Sequence, residues 1–211
     1  MLKQSEADLR LKICGITRLE DALLASALGV DALGFVFYKK SPRYIDPKDA
    51  QNIIQQLPPL MTMVGLFVNP TQQDIDDTLA QCALDVIQLH GDESADFCQQ
   101  QSRRVMKAVA ISTPDDMDKV KAFDCAVLLD AKAPEGVYGG AGKAFDWSML
   151  ERLEHRHPLI LAGGINSSNI VKAKQVRGLY ALDVSSGVES EKGIKDKQKM
   201  IELCEKFKYG L

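Results

Sequence analysis

Short aliphatic runs alternate with stretches of helical periodicity almost from one end of this chain to the other, and eight such repeats leave few folds open to it. The predicted strands cover residues 9–13, 32–37, 62–68, 86–89, 105–109, 126–130, 159–162 and 181–184. Their nearly unbroken apolar character is that of parallel strands buried on both faces and covered by helices. Helices are predicted over 19–28, 47–57, 71–82, 94–102, 146–153, 167–174 and 196–207, with a weak one over 114–122. The second begins well, with Asp46 at the N-cap position and Pro47 at the first helical position. Shared among eight units, 211 residues give about 26 each, a length suited to βα units. The expected architecture is therefore α/β, one (βα)8 TIM barrel spanning residues 1–211, with an open doubly wound sheet as the alternative. No low-complexity segment or linker divides the chain.

Charge and cysteine usage narrow the function classes. The formal net charge is −3, without a dense basic block, so neither nucleic acid nor a membrane surface is an expected partner. No apolar run approaches the ~20 residues of a membrane span. The opening Met1-Leu2-Lys3-Gln4-Ser5-Glu6 lacks the layout of a secretory signal. Five scattered cysteines without a CxxC pair fit neither a disulfide frame nor a zinc site, and read as reduced thiols in a cytoplasm.

In a barrel of this kind the chemistry sits where the strands end and the βα loops emerge. Cys14 directly follows the first strand; it is a mouth thiol able to act as base or nucleophile, or else a small buried one. Asp130 ends the sixth strand after four apolar residues, which suits an acid with a raised pKa, with nearby Lys132 working against that. Its bland alternative is a cap. Arg43, in Ser41-Pro42-Arg43 after the second strand, suits bidentate capture of a carboxylate, or is a solvated surface arginine. Gly163-Gly164 follows the seventh strand and Ser185-Ser186-Gly187 the eighth, where barrels often bind phosphate on backbone N–H groups. Gly139-Gly140-Ala141-Gly142 reads as a lid, and His90 as a supporting side chain for a strand-end neighbour. No His/Asp/Glu set has the spacing of a metal site.

In this order the residues resemble phosphoribosylanthranilate isomerases. The pieces that carry the likeness are Lys12-Ile13-Cys14-Gly15-Ile16-Thr17, Ser41-Pro42-Arg43, Gln88-Leu89-His90-Gly91-Asp92-Glu93, Leu129-Asp130, Leu161-Ala162-Gly163-Gly164-Ile165 and Asp183-Val184-Ser185-Ser186-Gly187-Val188-Glu189. The resemblance implies an Amadori rearrangement in tryptophan biosynthesis, acting on a small phosphorylated substrate with neither metal nor organic cofactor. It implies that Cys14 is the general base, Asp130 the general acid, Arg43 the carboxylate binder and the Gly-Gly and Ser-Ser backbones the phosphate seat. Asp183 is implied as a ligand-contacting or orienting group. Oligomeric state is left as monomer or homodimer. Two rivals stand at this point: a different barrel isomerase or lyase for which Arg43 is irrelevant, and a phosphate-binding barrel without catalysis.

Overall fold

The computed structural model describes residues 9–131, 146–153 and 155–210. Lys132 and the Gly139–Gly142 stretch expected as a lid lie outside these. Eight strands, β1 (Arg10–Cys14), β2 (Ala32–Val36), β3 (Thr62–Phe67), β4 (Val86–Leu89), β5 (Arg104–Ile111), β6 (Ala126–Ala131), β7 (Leu159–Leu161) and β8 (Leu179–Val184), form a closed barrel in chain order. Every neighbouring pair is parallel, and β8 returns to β1 with Lys12 opposite Asp183. That closing pair excludes the open sheet and establishes the expected fold class.

Two-sided burial explains the apolar runs. Val64, Met106, Ala108, Leu128, Ile160, Ala162 and Ala181 cluster inside the barrel. Alternate residues such as Ile87, Val127, Leu129, Leu161 and Leu182 join the larger core under the helices. Parity along each strand thus decides what faces inward. On β1 it is Lys12 and Cys14, on β4 Gln88, on β6 Asp130 and on β8 Asp183, all buried. The lower interior is apolar and the upper layer is polar.

Helices α1 (Leu19–Ala27), α2 (Pro47–Ile54), α3 (Gln72–Gln81), α4 (Ala95–Gln99), α5 (Met117–Val120), α6 (Ile170–Lys174) and α7 (Lys197–Tyr209) connect the strands. Local chemistry sets their ends. Asp46 accepts from the Lys48 backbone N–H, and Thr71 with Asp74 forms a reciprocal capping box. Asp196 caps α7, which stops at Gly210 in the left-handed region. Each such cap contributes about 1 kcal/mol. The fifth helix is the short one the sequence suggested, a 3₁₀ turn followed by α5. Residues Trp147–Arg152 form a 3₁₀ helix where an α-helix was expected. No strand or helix was expected between the eighth strand and the last helix, where only the Ser185-Ser186-Gly187 loop was read. There the chain makes a 3₁₀ turn (Ser186–Val188) and a small antiparallel hairpin of β9 (Glu189–Glu191) and β10 (Ile194–Lys195). Its strands are too short and polar to show a period. Tertiary bonds hold it: Arg18 donates to the Lys195 carbonyl at 3.0 Å, and the Lys195 N–H to Asp21 at 3.2 Å.

Candidate active site

One cleft at the C-terminal mouth of the barrel brings together Cys14, Arg43, His90, Asp130, Asp183 and the loops after β7 and β8. Its empty space, open mouth included, is about 640 Å³. Of the site residues expected from the sequence, Cys14, Arg43, His90, Asp130, Gly163, Gly164, Asp183, Ser185 and Ser186 line it, and Gly187, in the Ser186–Val188 turn, does not.

Cys14 ends β1 beside Gly34 of β2, its register partner. The fit is close: a Cβ on Gly34 would stand 2.7 Å from the Cys14 sulfur and 3.1 Å from Lys12 Nζ. Burial pushes the Cys14 thiol up, Lys12 pulls it back down, Asp183 pushes it up and Lys195 again lowers it, and the outcome lies above the ordinary thiol value. Lys12 itself, 2.8 Å from Asp183 Oδ1, is opposed by burial, yet Asp183 and Cys14 outweigh that and hold its ammonium above the usual lysine value.

Asp130 stands at the end of β6. His90 Nε2 lies 3.2 Å from its Oδ2, while the Gln88 amide nitrogen lies 3.0 Å from His90 Nδ1. With Gln88 donating to Nδ1, the neutral imidazole carries its proton on Nε2 and donates to Asp130. Oδ1 then faces the Gly163 side of the cleft, where a Cβ on that glycine would come within 2.9 Å of it.

Arg43 is not a solvated surface residue. Its Nε and Nη2 each lie 2.8 Å from the two carboxylate oxygens of Glu189 on the hairpin. That fork occupies one edge of the guanidinium and leaves the Nη1–Nη2 edge for the cleft, still able to take a carboxylate bidentately. Glu189 is opposed by burial, but Arg43 and Lys195 more than offset it and keep the carboxyl below its ordinary range. Lys195 is fully enclosed; its Nζ meets the Cys14 carbonyl at 2.6 Å, Glu189 at 2.9 Å and the Ser185 carbonyl at 3.2 Å. Burial lowers its pKa despite Glu189.

The anion seat expected from the sequence would be made of backbone. Gly163 and Gly164 both have positive φ, 83° and 70°. Asn166 and Asn169 side chains donate to the Gly164 carbonyl at 3.1 and 2.9 Å and fix the loop. Among the described residues, no backbone carbonyl engages the N–H of Gly163, Gly164, Ser186 or Gly187. The two loops pack so closely that a Cβ on Gly187 would lie 1.9 Å from the Ile165 carbonyl oxygen. Only glycine fits there.

The sequence reading missed Lys12, Gln88 and Lys195, and gave Glu189 no part. Strand parity was the available signal for the first two: Lys12 shares a face with Cys14, and Gln88 is a polar residue between two outward apolar ones. Glu189 and Lys195 offered none, since their hairpin is defined by contacts across the fold. No described group of three or more His, Cys, Asp or Glu side chains is arranged to hold a metal ion. No described helix is long and apolar enough to cross a membrane.

Residues 11–206 match the family model described as N-(5'phosphoribosyl)anthranilate (PRA) isomerase. A relative from Geobacter metallireducens named N-(5'-phosphoribosyl)anthranilate isomerase is 46% identical, with 94% of this chain and 98% of that protein aligned. One of the same name from Acidithiobacillus ferrooxidans is 48% identical over 90% of this chain and 93% of its own. Among solved structures, phosphoribosyl anthranilate isomerase from Thermotoga maritima aligns with a TM-score of 0.89 and 44% identity, covering 96% of this chain and all of the other. A further isomerase structure, in complex with reduced 1-(o-carboxyphenylamino)-1-deoxyribulose 5-phosphate, aligns at 0.84 with 39% identity over 96% of this chain and all of the other.

Proposed function

We propose, because this chain belongs to the N-(5'-phosphoribosyl)anthranilate isomerase family, that it converts N-(5-phosphoribosyl)anthranilate to 1-(2-carboxyphenylamino)-1-deoxyribulose 5-phosphate in tryptophan biosynthesis. The observation that carries this reading is the shared cleft: a thiol, a carboxyl, a guanidinium edge and a backbone anion seat open onto one small space.

The roles follow from the chemistry. Asp130, protonated on Oδ1, gives its proton to the furanose ring oxygen as the C1–O bond breaks and the amine lone pair forms C1=N, leaving an iminium (a protonated imine) at C1. His90 holds the other carboxylate oxygen and so fixes the acid's direction. Cys14 as thiolate takes the proton from C2, and the electron pair moves into a C1–C2 double bond while the iminium nitrogen recovers its lone pair. The resulting enolamine tautomerises to the ketone. Arg43 receives the anthranilate carboxylate on its free edge, and the N–H groups of Gly163, Gly164, Ser185, Ser186 and Gly187 receive the phosphate. Asp183 orients the site through Lys12. Each step is a proton transfer, so the sequence needs no redox partner.

A single barrel domain working in the cytoplasm as a monomer or homodimer completes the reading; a solved relative from Thermotoga maritima is described as dimeric. The test is a fluorescence assay following loss of phosphoribosylanthranilate made in situ. Cys14→Ala and Asp130→Ala should each abolish turnover. Arg43→Ala should mainly raise KM, by about 10–100-fold for a lost charge-assisted hydrogen bond. Turnover surviving in both Cys14→Ala and Asp130→Ala would refute the role assignment, and an unchanged KM in Arg43→Ala would favour another substrate.

A further inference from the structure

The acid–base scheme gives Cys14 a task its surroundings oppose. A base must be a thiolate, and the sulfur sits in a buried layer where burial favours the thiol. Something nearby has to compensate, and the charged groups facing this sulfur are few. Lys12 comes from β1, Asp183 from β8, Lys195 from β10 and Arg43 from the loop after β2.

Their hydrogen bonds separate them. An ammonium has three donors. Those of Lys195 meet three oxygens, from Cys14, Ser185 and Glu189. Arg43 is forked onto Glu189 where it lines the cleft. Lys12 has one carboxylate oxygen, Asp183 Oδ1, at 2.8 Å, and its Nζ and the Cys14 sulfur border the same space over Gly34, 3.1 and 2.7 Å from where a Cβ there would stand. Because Lys12 precedes Cys14 by two residues, both side chains rise on the same inward face of β1. Gly34 opposite leaves them room, as its missing Cβ would crowd both.

We infer that Lys12 is the positioning residue that makes Cys14 a base: its ammonium holds the thiolate in place, while Asp183 anchors the ammonium and limits how far it can stabilise the sulfur. This deepens the proposed role of Cys14 and rests on it. The balance is simple. The thiol S–H proton leaves to water, Lys12 keeps its three protons throughout, and the thiolate then takes the C2 proton of the substrate. Burial opposes the Lys12 ammonium, but Asp183 and Cys14 together outweigh it and hold it above the usual lysine value.

The ion pair gives a test that a purely structural lysine would fail. Lys12→Met and Asp183→Asn both break the same buried pair, so a packing role predicts similar effects. A charge role predicts opposite ones. The readout is the titration of Cys14 in the whole chain without substrate. It is followed by ultraviolet thiolate absorbance as the difference from Cys14→Ser, and checked by site-resolved iodoacetamide alkylation. Lys12→Met should lower the thiolate fraction at a fixed pH by about tenfold or more, the effect of moving a titration by one pH unit. Lys12→Arg should restore much of it, and Asp183→Asn should raise it. If Lys12→Met fails to fold, Asp183→Asn decides alone, since its neutral amide keeps the shape. A Cys14 titration unmoved or lowered in Lys12→Met, or unmoved or raised in Asp183→Asn, overturns the inference. No turnover enters this measurement, so failure of the proposed isomerase reading would show separately, as absent phosphoribosylanthranilate consumption by an enzyme whose thiol titrates as expected.

Discussion

Gly34→Ala is the sharpest perturbation of the proposed base, because it adds one methyl group and removes nothing. The new Cβ would stand 2.7 Å from the Cys14 sulfur and 3.1 Å from both the Cys14 Cα and Lys12 Nζ. Nonbonded contacts settle at roughly 3.5–4.0 Å, so the sulfur has to give way by about 1 Å. The backbone offers little relief, since Cys14 and Gly34 are register partners in the β1–β2 ladder. A misplacement of about 1 Å at a reacting group costs about 10²-fold in rate. Overpacking the strand interface costs about 1–3 kcal/mol, which in a chain of this size lowers Tm by about 2–4 °C per kcal/mol. Steady-state fluorescence kinetics should therefore show kcat down by about two orders of magnitude, with KM little changed because the proposed carboxylate and phosphate seats lie elsewhere. Differential scanning calorimetry should show the accompanying loss of Tm. A variant with kcat within a few-fold of the parent and an unmoved Tm would refute both the close packing of the sulfur and its part in the reaction.

Gly187→Ala should damage the proposed anion seat, since its Cβ would lie 1.9 Å from a backbone oxygen and force the two loops apart. The inhibition constant of inorganic phosphate should rise tenfold or more, a loss of about 1.4 kcal/mol; unchanged inhibition would place the phosphate elsewhere. Glu189→Gln leaves the enclosed Lys195 without its counter-charge and should destabilise the fold by about 3–5 kcal/mol at neutral pH in urea unfolding. The sign of its pH dependence follows from the folded carboxyl lying below its ordinary value. The stabilisation is complete above the unfolded carboxylate range and disappears as pH falls through the lower folded value. The gap between parent and variant should therefore narrow on acidification, and a gap that widened would contradict the pairing.

The regular part of the fold was open to sequence reading because it obeys a local rule. The fourth strand has the predicted bounds Val86–Leu89, and most others differ by a residue or two at their ends. Burial on both faces produces apolar runs that a short window detects. The hairpin over Glu189–Lys195 escaped for the opposite reason: its residues are mostly polar, and what orders them is Asp21, Arg18 and Arg43 from distant segments. The helix following β6 kept its place but not its type, since Asp146 caps a 3₁₀ turn there.

By itself, the order of amino acids determined eight parallel strands with their helices, and it set Cys14, Asp130, Arg43, Asp183 and the glycine and serine loops just where strands end. Only closure of the barrel decided how those groups meet. Lys12 and Asp183 are 171 residues apart, and Arg43 and Glu189 146. Each pair depends on register between elements and on the exclusion of water around opposed charges. Backbone periodicity repeats within a few residues and can be read locally. Desolvated ion pairs exist only once the last strand has found the first.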